Sequence, residues 1–334
     1  MPEQSASEWG GGNHMNGKRL VPPDSDFDTK FVSVALILLS VVVIFFTYLH
    51  YFHPQILRVP SNSDVSTWKN PAFEQTCIYD RMTPEERQKV LSQGIPLNTV
   101  PNLVFTGLFS LFCTWLCFAH ARRNYSRWMA WCFLFGSFVF TGLQESMWIL
   151  LGRFLGRSAM SGLPQDPSFG TYWFTRGGLW FFETPVEVCL GWFFVAYGCV
   201  WVASKVFRSV GVLGRAAAGG LIAMTIDLWE DPVATSPELM SWVWAKGDFL
   251  RIFGIPHTNF MGWFLLIFLF AIFWEGLPSM ERRWGRPRAT VAFFGGVLAA
   301  EVAILIFMLV WCGILQNLLA AAGLVQGLQF PPGW

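Results

Sequence analysis

Seven runs of about 20 mostly apolar residues dominate this chain, and each is long enough to cross a hydrocarbon core as a helix. They lie at Phe31–Tyr51, Val100–His120, Trp128–Leu151, Leu179–Ser204, Val210–Leu228, Asn259–Pro278 and Thr290–Gln316. The fifth is the weakest, being short, rich in glycine and interrupted by Arg215. The expected fold is all-α, a polytopic membrane bundle of about seven transmembrane helices. Composition agrees. Charged residues make up 13% of the chain, against roughly a quarter in soluble domains. The 33 Phe and 18 Trp suit a chain with much surface at lipid and at its interfaces. A net charge of +1 gives no electrostatic case for nucleic acid as a partner. Of the seven Cys, only Cys77 lies in a polar stretch. That excludes a disulfide framework, and no CxxC pair indicates a metal.

Basic residues cluster in alternate connections: Lys18, Arg19 and Lys30; Arg122, Arg123 and Arg127; Lys205 and Arg208; Arg282, Arg283, Arg286 and Arg288. The positive-inside rule makes these cytoplasmic, with the N-terminus inside and the C-terminus outside. The expected organisation is a disordered cytoplasmic tail (1–29), a first membrane helix (30–52), an outer polar segment (53–99), a six-helix core (100–318) and a C-terminal tail (319–334). The first 29 residues are polar and lack the early basic end and apolar core of a signal peptide. In the outer segment, Thr83-Pro84-Glu85-Glu86 is a capping box with proline at the first helical position, so a short helix should start there. The terminal Pro331-Pro332-Gly333-Trp334 reads as a loop. No internal repeat, heptad pattern or nucleotide-binding glycine loop is evident.

Acids inside membrane spans are expensive and therefore candidates for function. Glu145 lies in the third span. Glu183 and Glu187, four apart in the fourth, should share a helix face. Glu301 lies in the seventh. Glu275 and Glu281 read as interfacial partners of Arg282 and Arg283. Asp227 ends the fifth span, followed by Trp229, Glu230 and Asp231-Pro232. A continuous helix would put Asp227 and Asp231 on one face. Pro232, however, disfavours helical geometry at Asp231, which could instead cap a following helix. Asp227 could likewise be an ordinary helix-end charge. Beyond lie Trp242-Val243-Trp244 and the turn Gly254-Ile255-Pro256. His257 reads as a structural imidazole, with no second histidine at ligand spacing. Asn259 is placed to cap the sixth span, and Gly262 to allow close backbone approach.

These motifs resemble the membrane carotenoid biosynthesis family, which includes carotenoid 1,2-hydratases acting on γ-carotene-like and bacterioruberin-precursor substrates. The likeness starts at Glu145 and Phe169-Gly170-Thr171-Tyr172-Trp173-Phe174. It continues through Thr184-Pro185-Val186-Glu187-Val188 to Gly191-Trp192. It is strongest from Asp227 through Asp231-Pro232-Val233-Ala234, Trp242-x-Trp244 and Gly254-Ile255-Pro256 to Asn259-Phe260-x-Gly262-Trp263-Phe264. It spans roughly residues 140 to 270. Trp173, Phe174 and His257 depart from the family pattern. The N-terminal tail and the segment 52–99 have no counterpart in it.

The resemblance implies addition of water to the terminal C1=C2 bond of an acyclic carotenoid end. An acid protonates C2, a tertiary cation forms at C1, and water is delivered there. No cofactor is needed. Burial disfavours a carboxyl's charged form, and a second carboxylate nearby does so further, so Asp227 and Asp231 form the expected acid pair, with Glu145 next. Aromatic faces would stabilise the cation. Trp229, Trp242, Trp244 and Trp263 are candidates, joined at the binding site by Tyr172, Glu187 and Asn259, the last as a water holder. The expected partners are a carotenoid or other lipophilic polyene, membrane lipid and other membrane proteins of the pathway. The expected location is the cytoplasmic membrane of a prokaryote. Three rivals remain: a non-catalytic carotenoid- or lipid-binding membrane protein, a different polyene- or prenyl-modifying enzyme, and a transporter.

Overall fold

A computed structural model describes residues 26–53, 56, 71–74, 76–155, 172–244, 250–323 and 329–330. Most of the N-terminal tail, Phe169 to Thr171 and the final Pro331-Pro332-Gly333-Trp334 lie outside them. Among the described residues six helices are long and apolar enough to cross a membrane. The last is two helices joined at Gly285, so the described residues supply seven such segments in an all-α bundle.

Helix α1 (Asp26–Phe52) begins earlier than expected. Asp26 and Asp28 occupy its first turn, where the helix end favours negative charge. Lys30 pairs with Asp26 at 2.7 Å, and Asp28 reaches Arg286 at 2.6 Å. Helix α2 (Pro84–Gln93) starts at the capping box, with the Thr83 and Glu86 side chains and backbones bonded reciprocally. Helix α3 (Val100–Asn124) turns at Ser126, whose side chain accepts from Met129 N to cap α4 (Arg127–Gly136). A π-helical segment, Ser137–Gly142, leads into α5 (Leu143–Leu155). One extra residue in a turn rotates everything beyond it by about 100°, and Gln144, Glu145 and Trp148 then face a cavity.

Strand β1 (Tyr172–Phe174) and the hairpin β2 (Trp180–Phe181)–β3 (Thr184–Pro185) precede α6 (Val186–Val206). Glu183 and Glu187, expected on one helix face, are therefore separated. Pro185 is extended at φ −58°, ψ 140° and holds Thr184 out of helical geometry, so Glu183 sits in the hairpin turn. Helix α7 (Val212–Ala234) carries Pro232 inside its last turn. Asp231 thus stays helical, and the capping alternative does not apply. A proline this close to a helix end removes one hydrogen bond without ending the helix.

Strand β4 (Trp242–Trp244) and the hairpin β5 (Arg251–Ile252)–β6 (Ile255–Pro256) lead into α8 (His257–Ala321). At Gly285 (φ 75°, ψ 160°) the backbone takes a conformation open essentially to glycine alone. Glu275 pairs with Arg215, and Glu281 with Arg286. These replace the expected Arg282 and Arg283, which follow Glu281 directly in the helix and so point away from it. A short strand β7 (Gln329–Phe330) pairs parallel with β5.

The chain does contain a repeat. After Phe182 and after Phe253 alike, a Pro follows at the third position and Gly-Trp-Phe at the ninth to eleventh. Upstream, Tyr172-x-Phe174-x-Arg176-Gly177 parallels Trp242-x-Trp244-x-Lys246-Gly247. Each copy folds as strand, hairpin and helix, and the strands β1 and β4 pair antiparallel. Their register is reciprocal: Tyr172 faces Trp244 as Trp242 faces Phe174. The repeat escapes a hydropathy reading because it spans a strand and a hairpin between helices and shares few residues.

Candidate functional site

Alternation along the strand pair sorts the aromatic residues. Trp173 and Val243 face outward onto a small core with Phe73, Ile78, Met82 and Val90 from the outer segment. Tyr172, Phe174, Trp242 and Trp244 face inward onto a cavity of about 300 Å³. Its other walls come from α3, α5, α6, the end of α7 and the start of α8. Thr106 and Phe109 of α3 line it and are also exposed on the outer surface of that helix, so the cavity reaches the lipid-facing side of the bundle.

Carboxyls collect on this cavity. Asp227 and Asp231 lie four apart on α7, fully buried. Gly220 lets α8 approach so closely that an added Cβ would stand 2.7 Å from the Phe264 carbonyl. That contact brings Asn259 against both acids. Its amide Nδ2 donates to Asp227 Oδ2 and Asp231 Oδ2 at 2.9 Å each, and to Asp227 Oδ1 at 3.2 Å. Asn259 is thus inside the first turn of α8 as a bridge, and not its cap. Asp231 lines the cavity; Asp227 sits behind it. Glu145 also lines the cavity and accepts from Trp192 Nε1 at 3.0 Å. Trp192 and Trp263, equivalent positions in the two repeats, meet with ring centroids 4.2 Å apart. Glu187 borders the cavity and accepts from Gly178 N at 3.2 Å.

The structure therefore brings together Asp231, Glu145, Tyr172, Glu187, Trp242, Trp244, Asn259 and Trp263. Trp229 is not among them. It lies two residues from Asp227, which on a helix is nearly the opposite face, and it is 71% exposed. Gly262 makes no close backbone contact: an added Cβ would meet nothing within 4 Å. His257 is satisfied as expected, with Trp311 Nε1 donating to Nε2 at 2.8 Å and Nδ1 bonded to Leu250 O at 3.1 Å. Among the described residues no group of His, Cys, Asp and Glu is arranged to hold a metal ion.

Among the lining residues not foreseen as part of the site are Trp192, Arg176 and Gln144. Trp192 is the repeat partner of Trp263, so the Gly-Trp-Phe match was the available signal. Arg176 donates to Pro96 O, Leu239 O and Ser241 Oγ at 2.6–2.8 Å, tying the outer segment to the strand pair. Burial pulls its pKa down, and the charge of Glu187 opposes the shift. Gln144 gives no sequence signal beyond adjacency to Glu145.

A family model described as carotenoid biosynthesis protein matches residues 105–328. The chain belongs to that family. It is a membrane protein with a role in carotenoid biosynthesis. The matched span contains every acid and aromatic residue that lines the cavity, and Asp227 behind it. Searches of curated proteins and of solved structures found no match.

Proposed function

We propose that this protein is a carotenoid hydratase, adding water across the terminal C1=C2 bond of an acyclic carotenoid end. The observation that carries the reading is the Asp227–Asn259–Asp231 cluster on the wall of an aromatic cavity that reaches the lipid. Two buried carboxylates held by one amide repel each other, so the pair is stable carrying a proton. Asp231, the member exposed to the cavity, delivers that proton to C2. The alkene's π electrons form the new C–H bond and leave a tertiary cation at C1. The faces of Trp242, Trp244 and Trp263 stabilise the cation through their quadrupoles. Asp227 is a positioning residue, keeping the proton at Asp231. Charge placement puts the basic connections in the cytoplasm, and hence the strand pair and cavity mouth toward the outer side.

The test is pigment analysis by chromatography and mass spectrometry, with the chain expressed in a bacterium that makes lycopene or γ-carotene. A product heavier by one water is expected. In Asp231→Asn it should fall by about 10²- to 10⁴-fold, the usual contribution of a positioned acid. Asp227→Asn should fall less. Unchanged pigment, with the protein folded in the membrane, overturns the hydratase reading. Unmodified carotenoid co-purifying with both variants would then favour a pigment-binding protein.

A further inference from the structure

A second, smaller cavity of about 50 Å³ lies behind the first. The two share Glu145, Tyr172, Trp192, Trp244, Asn259 and Trp263 as a common wall. The smaller one adds Gln144, Trp148, Thr258, Gly262 and, from the far half of α8, Ile304 and Met308. Its size suits one or a few waters and excludes a polyene. Two polar atoms on its lining residues, Gln144 Oε1 and Trp244 Nε1, are buried and have no hydrogen-bond partner among the described residues. Gln144 is 7% exposed. An unsatisfied buried amide costs about 1–3 kcal/mol, which a water accepting from one group and donating to another removes. A Cβ added at Gly262 would meet nothing within 4 Å and would project into open space, so the glycine leaves the chamber room.

We infer that this chamber holds the water that attacks C1, with Gln144 as its positioning residue and Glu145 as the base that takes its proton. The inference rests on the hydratase reading. Once C2 has been protonated, a lone pair of the chamber water forms the C1–O bond. The oxonium proton passes to Glu145, the one carboxyl on both cavities. The product is a tertiary alcohol, and no electrons are gained or lost. The proton returns from Glu145 to Asp231 across the cavity they share, which resets the site. Trp192, donating to Glu145 Oε1, leaves the other carboxylate oxygen free to accept. Separating the chamber from the polyene cavity keeps bulk water from the cation while one ordered water stays in reach.

Gln144→Leu separates water delivery from protonation. Membranes carrying the wild type or the variant are assayed in D2O for hydrated product and for deuterium in the recovered alkene. Gln144→Leu should lose about 100-fold in hydration, as expected for a misplaced reactant, while deuterium still enters the alkene because the cation forms and reverts. Gln144→Glu, which keeps an acceptor, should recover part of the rate. X-ray radiolytic footprinting gives a readout independent of activity. Met308, on the chamber wall, should be oxidised in the wild type by hydroxyl radical that the beam makes from trapped water, and several-fold less in Gln144→Leu. Hydration in Gln144→Leu close to wild type overturns the inference, as does a parallel fall of hydration and deuterium uptake, or an unlabelled Met308 in the wild type. Wild-type protein that labels at Met308 yet never hydrates the carotenoid overturns the reaction itself, a result distinct from failure of the water site.

Discussion

Asp227 and Asp231 are the same residue type on one helix face, yet only Asp231 borders the cavity. In the proposed reaction that difference gives the two acids different parts, while the amide of Asn259 bonds both. Asn259→Leu would remove the donor and leave both buried acids without it. Losing a partner of a buried polar group costs about 1–3 kcal/mol, so a lower unfolding temperature in detergent is expected together with reduced hydration. Normal stability would mean that the acids find other donors. Both acids were legible in the sequence as expensive charges near an apolar run. Their shared partner was not, because Asn259 lies 32 and 28 residues away and reads locally as a cap. Trp229 fails for the opposite reason: sequence proximity to the acids put it on the list, and helical phase takes it out to lipid.

Among the secondary-structure elements, irregular segments set the site. The π segment before Glu145 turns α5 so that Gln144 and Glu145 face inward. The two hairpins deliver α6 and α8 with Trp192 and Trp263 in equivalent places. Tight turns at Phe182 (φ 53°) and at Phe253-Gly254 (φ 52° and 80°) are the local strain these hairpins hold. The joint at Gly285 does similar work for α8. It directs the second half back against the bundle, where Trp311 reaches His257 and Ile304 and Met308 close the small chamber. Gly285→Ala should cost about 1–3 kcal/mol and loosen that chamber. Thermal unfolding checks the first effect, and Met308 footprinting the second. A variant as stable as the wild type would show that the joint tolerates a side chain.

For the whole molecule, ion pairs pin distant segments. Arg286, just past the joint, holds Asp28 of α1 at 2.6 Å and Glu281 at 2.5 Å. Asp28 is 5% exposed. Arg286→Leu would remove the cation bonded to a buried carboxylate, and breaking such a pair costs about 3–5 kcal/mol. A large drop in melting temperature is expected, with partial recovery on adding Asp28→Asn, which removes the buried negative charge. No recovery would indicate that Arg286 acts through its contact over the Trp128 ring. The outer segment has a role at this scale too. With Phe73, Ile78 and Met82 it covers the outer face of the strand pair, and through Arg176 it is tied to the cavity rim.

The membrane-helix class, the approximate position of the spans, the capped helix at Thr83 and the family resemblance could all be read along the chain. Those rest on local quantities: run length, hydropathy, capping chemistry and motif order along the chain. That Asn259 bridges two acids, that Trp192 donates to Glu145, that Glu183 leaves the helix and that two cavities share a wall became visible only in three dimensions. Each of these depends on which helices approach closely and at what rotation. Those are set by small residues, a π turn and reciprocal strand pairing, whose effects are felt tens of residues away and leave little trace in a linear pattern.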